Sequence, residues 1–451
     1  MNFMKNFYNM KLGIVDLAES SVEIVPLNAE MISEKIGGAA VNRELFENFG
    51  DADSLILGVG PLTGSYAPAS CLLVATFRSS ITGSLSHVPF LHRSGPEMKF
   101  SGFDFLVIKQ IAPRPTVLII TEGTVTFLSA DHMVTCEVPE IIRSIKQKMH
   151  RGGAAIVTGP AADNESPFAS ASEGLWSSLD KTGLASVLGT KNVKGLVFNG
   201  IDGLPFGADD LAKSDKMIRA IGLYGPSRKN GFISVLEKLG VDDDIKTMLH
   251  KSRAKNIACY RCPFPCMNHI DFTEKASEHM RGYQSHREVN LMDHVGFLTL
   301  ARKYKGEVFE LMSSCVRLGV DPVVVSDMLP EGGTMNDRLE MLKVISAGPV
   351  AGDLKEGKQK GYQILGDISP EKHKLFGGGL APIATQGTED SSYAWENRVA
   401  LSLVLGICPL FLIMFPAIQE ADLISFFAPE EGALKIFQDK VNSSTRLLCG
   451  H

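Results

Sequence analysis

Three cysteines lie within eight residues of this chain, and they constrain its fold more than any other feature. Cys259, Cys262 and Cys266 have the spacing C-x2-C-x3-C, and the two prolines between them stiffen the segment and remove backbone donors. Three thiolates on one short loop can bind three corners of a cubane iron–sulfur cluster, and the fourth corner needs a cysteine from elsewhere in the fold. The chain must therefore bring a distant cysteine to this loop.

The spacing alone leaves the metal and the fourth ligand open. Cys315, Cys408 and Cys449 are all available as the fourth ligand. Four thiolates also form structural zinc sites, usually from two C-x2-C pairs, whereas here a single pair is followed by a third cysteine at x3. The spacing favours a 4Fe–4S cluster over zinc. We expect no signal peptide, and clustered cysteines in such a chain indicate metal ligands rather than a disulfide framework.

Bulk properties exclude several classes of partner. The chain has 451 residues, which predicts two or three domains. Its net charge of −6 provides neither the basic surface that binds nucleic acid nor a polybasic membrane signal. The uncharged run 399–419 is long enough to span a bilayer, but Gly406, Pro409 and Pro416 interrupt it, so buried core is the better interpretation. We expect a cytoplasmic protein with no membrane and no nucleic-acid partner.

The hydrophobic pattern changes along the chain. Residues 11–27 have the pattern of a β-hairpin, and further short β-rich runs follow to about residue 200. Beyond residue 205 the spacing becomes helical, most clearly over residues 297–318, with Gly319 at the position of a C-cap glycine. We predict an α+β fold, with a β-rich N-terminal domain over residues 1–204 and a largely helical region over residues 205–451 that carries the cluster cysteines.

Four motifs occur in order in the first half of the chain: GPLTG at 60–64, GPEMK at 95–99, TGPAA at 158–162 and VLGTKNVK at 187–194. In this order and spacing they resemble the aldehyde:ferredoxin oxidoreductase family, whose members carry a tungsten bis-pterin beside a 4Fe–4S cluster. The resemblance implies the fold of that family. It also selects Cys408, in LGIC at 405–408, as the fourth cluster ligand.

The positions at which the family binds its pterins are altered. Leu72 stands where the family has an arginine that bridges cluster and pterin, and PFLH at 89–92 replaces an Asn-Ser-Gly-Gly phosphate turn. Val316 and Leu403 replace the aspartates of two Asp-x-x-Gly-Leu stretches. A bis-pterin carries negative charges that need arginine, backbone donors or magnesium. The sequence therefore predicts that the cluster survives while the tungsten or molybdenum bis-pterin site is degraded or remodelled.

The resemblance also suggests cofactor-binding and catalytic residues. The positions that correspond to cofactor-binding stretches of the family are Lys181, Gly183, Lys191, Asp321 and Ile407. Glu288 lies near the family's active-site glutamate and is the candidate catalytic residue, with an exposed loop charge as the alternative. A further string, DHVGF at 293–297, matches Asp-x-x-Gly-Leu only loosely and lies upstream of the expected place, so we interpret it as coincidence.

The resemblance implies an iron–sulfur oxidoreductase or electron-transfer protein. In the family, an aldehyde becomes a carboxylic acid and electrons pass through the cluster to ferredoxin; here the acceptor is ferredoxin or another redox protein. One alternative is a non-catalytic member with a degraded pterin site that relays electrons or scaffolds a complex. Another is a zinc-stabilised structural protein. The chain can be a homo-oligomer or one subunit of a complex.

Overall fold

The structure is a computed structural model of the chain. It describes residues 7–51, 53–150, 152–201, 203, 208–222, 231–272, 288–348, 392–427 and 431–449. The predicted domain boundary at residue 204 lies outside these residues.

A six-stranded sheet forms the first layer of the N-terminal half. The predicted hairpin is present, since β1 (Lys11–Asp16) pairs antiparallel with β2 (Ser21–Pro26). The strand order is β2-β1-β6-β3-β4-β5, in which β6 runs parallel to β1 and the other neighbours are antiparallel. The remaining strands are β3 (Leu55–Val59), β4 (Leu73–Arg78), β5 (Leu85–Phe90) and β6 (Phe105–Lys109), and the helices of this part are α1 (Ala29–Lys35), α2 (Gly38–Phe49) and α3 (Ser94–Phe100).

A second six-stranded sheet follows, with the order β11-β10-β9-β12-β7-β8. Its strands are β7 (Thr116–Thr121), β8 (Thr124–Ser129), β9 (Ala154–Thr158), β10 (Ala171–Glu173), β11 (Trp176–Ser177) and β12 (Val193–Asn199). The helices are α4 (Val138–Ile145), α5 (Pro160–Asp163) and α6 (Leu184–Thr190). Ile141 and Ile145 of α4 pack on Val117 and Val157 of this sheet in a small separate core.

The C-terminal half is largely helical and includes one small antiparallel sheet, β13 (Arg253–Ile257), β14 (Met267–Asp271) and β15 (Glu288–Leu291). The cysteine motif lies in the loop between β13 and β14. The helices are α7 (Ala208–Ala220), α8 (Gly231–Lys238), α9 (Asp243–Lys251), α10 (His294–Tyr304), α11 (Val308–Leu318), α12 (Pro322–Met328), α13 (Met335–Ser346), α14 (Ser392–Leu405), α15 (Pro409–Met414), α16 (Glu420–Ile424) and α17 (Glu431–Cys449).

The predicted α+β fold, β-rich and then helical, is confirmed. The helical stripe of residues 297–318 is divided between α10 and α11, because the chain turns at Lys305, where φ is +42°. Gly319 is the left-handed C-cap of α11, with φ +67°. The apolar run 399–419 forms the end of α14, the turn after it, α15 and the segment that leads to α16. Of the helices in the described ranges, none combines the length and the apolar character needed to cross a membrane.

Two of the sequence motifs pack against each other and against the LGIC turn. The Lys99 ammonium, in GPEMK, donates to the carbonyls of Gly60, Pro61 and Thr63 in GPLTG, each at 3.0 Å. A Cβ on Gly60 would lie 2.2 Å from the carbonyl carbon of Leu405, so the two backbones touch directly. GPLTG therefore packs directly against the backbone that precedes Cys408 and fixes its position.

Candidate metal centre

Three separate segments meet around the cysteine loop. The amide of Ala69 donates to the carbonyl of Arg261 in the loop at 3.0 Å. The carbonyl of Ala69 accepts from the amide of Cys408 at 2.9 Å. Segment 69–72 of the N-terminal half is thus hydrogen-bonded both to the cysteine loop and to the α14–α15 turn.

Five thiols converge where these segments meet, and none of them is in a disulfide. Cys71, Cys259, Cys266 and Cys408 are buried, and Cys262 is half-buried. The Cys71 thiol lies close enough to the thiols of Cys259 and Cys408 to shift their pKa values. The structure therefore brings together all four cysteines expected to bind the cluster and adds a fifth.

The environment of Cys408 differs from that of the loop thiols. The neighbouring Cys71 thiol lowers the pKa of the Cys408 thiol, against the effect of burial, and the amides of Phe411 and Leu410 lower this pKa further. These amides belong to the first turn of α15, where backbone N–H groups have no helical partner. Burial instead raises the pKa of the Cys262 and Cys266 thiols well above the usual range.

The other cysteines that spacing left open lie elsewhere. Cys315 is near Lys181 and Asp321, and the Cys449 thiol contacts the side chain of Asn397 at 3.5 Å. Over the ranges that the structure describes, no three His, Cys, Asp or Glu side chains stand ready-made around an ion. An all-thiol donor set nevertheless fits an iron–sulfur cluster or zinc.

Cys71 is the site residue that sequence reasoning missed. Spacing gives no reason to join residue 71 to a loop almost two hundred residues later. The available signal was its neighbour, because Cys71 directly precedes Leu72, the position at which the related family bridges cluster and pterin. A residue adjacent to a cluster-contacting position lies within reach of the same cluster.

The positions that the resemblance assigns to the pterins are filled by protein atoms. Leu72, Phe90 and Leu403 are 0% exposed, and Val316 is 3% exposed. A cavity large enough for a bis-pterin would leave the side chains lining it accessible to water. A Cβ on Gly38 would lie 1.7 Å from the carbonyl oxygen of Leu403, so the backbones are in direct contact there. These residues do not fit a bis-pterin bound with the contacts of the family.

Two of the predicted cofactor residues, Lys181 and Asp321, are brought together, but they bind each other. The Lys181 ammonium lies 2.7 Å from Asp321 Oδ1 and 2.6 Å from Asp293 Oδ2, and all three side chains are at most 3% exposed. Burial by itself lowers the pKa of Lys181, and the two carboxylates more than reverse this, so the pKa is raised. Asp293, at the start of the DHVGF string, is also the N-cap of α10. That string therefore has a structural role of its own.

The remaining predicted site residues have separate environments. Ile407 is buried directly beside Cys408, and Gly183 precedes α6 with φ +93°. The Lys191 ammonium donates to the carbonyl of Gln110 at 2.9 Å. Glu288 is half-buried and opposes Asp271, at the end of β14 farther from Cys266. Four residues of strand separate those ends by about 13 Å, so Glu288 does not lie at the thiols.

Comparisons with known proteins agree with this architecture. Residues 12–200 match the family model of the aldehyde ferredoxin oxidoreductase N-terminal domain. This segment is an aldehyde ferredoxin oxidoreductase N-terminal domain. The resemblance inferred from the sequence is thereby confirmed over these residues.

Individual relatives are distant. The tungsten-containing aldehyde ferredoxin oxidoreductase of Pyrococcus horikoshii is 23% identical over 289 residues, which are 57% of this chain and 48% of that protein. The WOR-like subunit of the aliphatic sulfonate oxidoreductase of Pyrococcus furiosus is 26% identical over 224 residues, 44% of this chain and 35% of that protein. This chain therefore spans about half or less of the length of these relatives.

A solved structure resembles the whole described fold. It is the active-site complex BamBC of benzoyl coenzyme A reductase with 1,5-dienoyl-CoA, one chain of which matches with a TM-score of 0.67. The match covers 96% of this chain and 89% of that chain at 15% identity. It shows that the aldehyde ferredoxin oxidoreductase-like fold continues beyond residue 200 into the helical half.

Proposed function

We propose that this chain is an iron–sulfur electron-transfer protein of the aldehyde ferredoxin oxidoreductase family that works as a subunit of a larger redox complex. The observation that carries the proposal is the meeting of five buried or half-buried thiols from three segments. Beside them, the positions that would contact a pterin are packed with apolar side chains. Both features support a thiol centre that works without a pterin held by the contacts of the family.

A 4Fe–4S cluster supplies a one-electron carrier when it is bound. Cys259, Cys262, Cys266 and Cys408 would hold it, and the surrounding apolar core would exclude water from most of its surface. Arg261 is exposed and Cys262 is half-buried, so the centre approaches solvent at this edge of the loop. We propose that the electron partner, ferredoxin or another redox protein, docks at this edge.

Membership of a complex is supported by two of the related proteins. One is named a WOR-like subunit, and the other is a chain of an active-site complex of a reductase. A subunit that carries electrons needs no substrate pocket of its own, which agrees with the filled pterin positions. A reducing cytoplasm suits free buried thiols and a cluster of this kind, and we place the protein there.

Aldehyde oxidation with electrons passed to ferredoxin is the second candidate, and the family relationship favours it. It requires a tungsten or molybdenum bis-pterin where Leu72, Phe90 and Leu403 are packed, and it would assign the role of general base to Glu288. Zinc in place of iron at the thiols would make the protein structural, which is the third candidate.

Metal and pterin analysis of anaerobically purified protein separates these candidates. The protein should be made in a tungsten-supplied host that synthesises the cofactor. We expect about four irons and four sulfides per chain, with neither stoichiometric tungsten or molybdenum nor pterin fluorescence. Stoichiometric metal and pterin, together with turnover of a simple aldehyde, would establish the second candidate, and zinc without iron the third.

The iron content of Cys262→Ser tests the assigned ligands of the cluster. We expect it to lose most of the iron, because the neighbouring loop thiols cannot occupy its corner of the cluster. Cys136→Ser is the control, since Cys136 lies on the second sheet's side of the molecule and its thiol contacts the carbonyl of His132. Equal iron contents in the two variants would contradict the assigned ligand set.

A further inference from the structure

Cys71 lies among other thiols, which a cysteine that only fills space in the core would not need. A buried free cysteine commonly acts as a small apolar side chain. Cys71 is 0% exposed, its amide shares the Ala69 carbonyl with the amide of Cys408, and its thiol shifts the pKa values of those of Cys259 and Cys408, which belong to different segments. It is therefore part of the thiol cluster and not merely near it.

The backbone holds Cys71 in this place. Ala69 has φ +57°, an uncommon conformation for a residue with a side chain. Its carbonyl accepts from the amides of both Cys71 and Cys408, each at 2.9 Å, and the amide of Leu72 donates to the carbonyl of Gly406 at 3.4 Å. The segments that carry Cys71 and Cys408 are thus joined by hydrogen bonds on both sides of Cys71.

We propose that Cys71 is a fifth thiol of the metal centre that can replace Cys408 as the ligand of one iron. The proposal rests on the proposed function, in that the centre binds a metal. Two sulfur ligands of one tetrahedral metal ion lie about 3.7 Å apart, because each metal–sulfur bond is about 2.3 Å long. The Ala69 carbonyl accepts from the amides of both cysteines and so holds them side by side, which would leave the same iron within reach of either sulfur after a small movement.

The exchange conserves charge and electrons. With a cluster bound, the iron–sulfur bond to Cys408 would break and a bond to the Cys71 sulfur would form, while the Cys71 proton would pass to the released Cys408 sulfur. No oxidant or reductant takes part. While Cys408 is the ligand, the Cys71 S–H would be placed to donate to its sulfur. Such a donor would stabilise the more negative, reduced cluster and raise its reduction potential.

Iron and sulfide contents of a set of serine variants test the exchange. We expect Cys71→Ser and Cys408→Ser each to keep roughly half or more of the wild-type iron, and the Cys71→Ser/Cys408→Ser double variant to keep less than roughly a fifth. Cys136→Ser/Cys408→Ser is the matched double control and should resemble Cys408→Ser alone. Loss of iron in Cys408→Ser as complete as in Cys262→Ser would overturn the proposal.

The reduction potential of a Cys71 variant is a second test, and it remains valid even if the Cys408 variants fail to fold. In Cys71→Ala, which removes only a sulfur atom from the core, an EPR-monitored redox titration should give a lower potential than the wild type. An unchanged potential would overturn the role of Cys71.

The wild-type metal content tests the proposed function separately. If the wild type holds zinc, the iron–sulfur function fails. The zinc contents of the same four variants then decide whether Cys71 substitutes for Cys408. Retention of zinc in both single variants and its loss in the Cys71→Ser/Cys408→Ser double variant would support the substitution. Loss of zinc in Cys408→Ser as complete as in Cys262→Ser would contradict it.

Discussion

At the scale of single residues, the most consequential feature outside the thiols is the buried group Lys181, Asp293 and Asp321. One cation and two carboxylates taken from water carry a large desolvation cost, which short contacts and further hydrogen bonds must offset. Asp293 and Asp321 each accept a backbone hydrogen bond at the start of a helix, from Gly296 at 2.9 Å and Val323 at 3.0 Å. The cation is thus needed to hold two helix N-termini and the 180–183 turn together.

Replacing Lys181 with methionine should destabilise the protein by about 3–5 kcal/mol, because two buried carboxylates lose their only cation in this group. Chemical denaturation of wild type and variant measures the change. Lys343→Met is the control, since Lys343 and Glu340 form an exposed pair whose loss should change stability by at most about 0.5 kcal/mol. An unchanged free energy of unfolding in Lys181→Met would show that the charged group does not contribute to holding the helices.

At the scale of elements, the turn between α14 and α15 decides where Cys408 lies. Gly406 has φ +87°, and a Cβ there would lie 2.2 Å from Thr63 Oγ1 and 2.9 Å from the Thr63 amide. The turn therefore approaches GPLTG more closely than any side chain would permit. The close approach sets the end of α14, and Cys408 follows two residues later as the N-cap of α15.

Gly406→Ala should both destabilise the protein and lower its metal content, because the turn must move away from Thr63. Gly83→Ala is a matched control: Gly83 also has positive φ, at +68°, but nothing lies within 4 Å of its Cβ position. The control should lose about 1–2 kcal/mol from backbone strain alone and keep its metal. Equal effects of the two substitutions on metal content would argue against the close approach as the cause.

At the scale of the whole molecule, the thiol centre joins the two halves of the chain. Cys71 belongs to the segment that leads into β4, the loop cysteines lie between β13 and β14, and Cys408 precedes α15. A single hydrophobic core also runs from the first sheet into the C-terminal helices. Metal binding at such a junction favours the folded state over the unfolded chain.

Removal of the metal should therefore lower the melting temperature of the entire protein, by at least about 5 °C, and not only that of one half. Calorimetry before and after anaerobic chelation measures this. Cys259→Ser supplies the control, since a variant that binds no cluster should melt at the same temperature with or without the chelator. A metal-independent melting temperature in the wild type would mean that the centre does not link the halves.

The sequence by itself determined the features that depend on neighbouring residues. The hairpin of β1 and β2 follows from alternation across a short turn, and Gly319 at the end of α11 follows from the left-handed conformation that a C-cap requires. The prediction for the loop of Cys259, Cys262 and Cys266 is equally local, because it rests on their spacing alone. Motif order was enough to identify the family.

Only the tertiary structure decided which distant side chains meet. Lys181 is 112 residues from Asp293 and 140 from Asp321, and no periodicity relates such positions. Cys71 joins the thiol centre for the same reason, since its place depends on how segment 69–72 packs between two other segments. Local propensity acts over a few residues, whereas these contacts arise from the closure of long loops around a shared core.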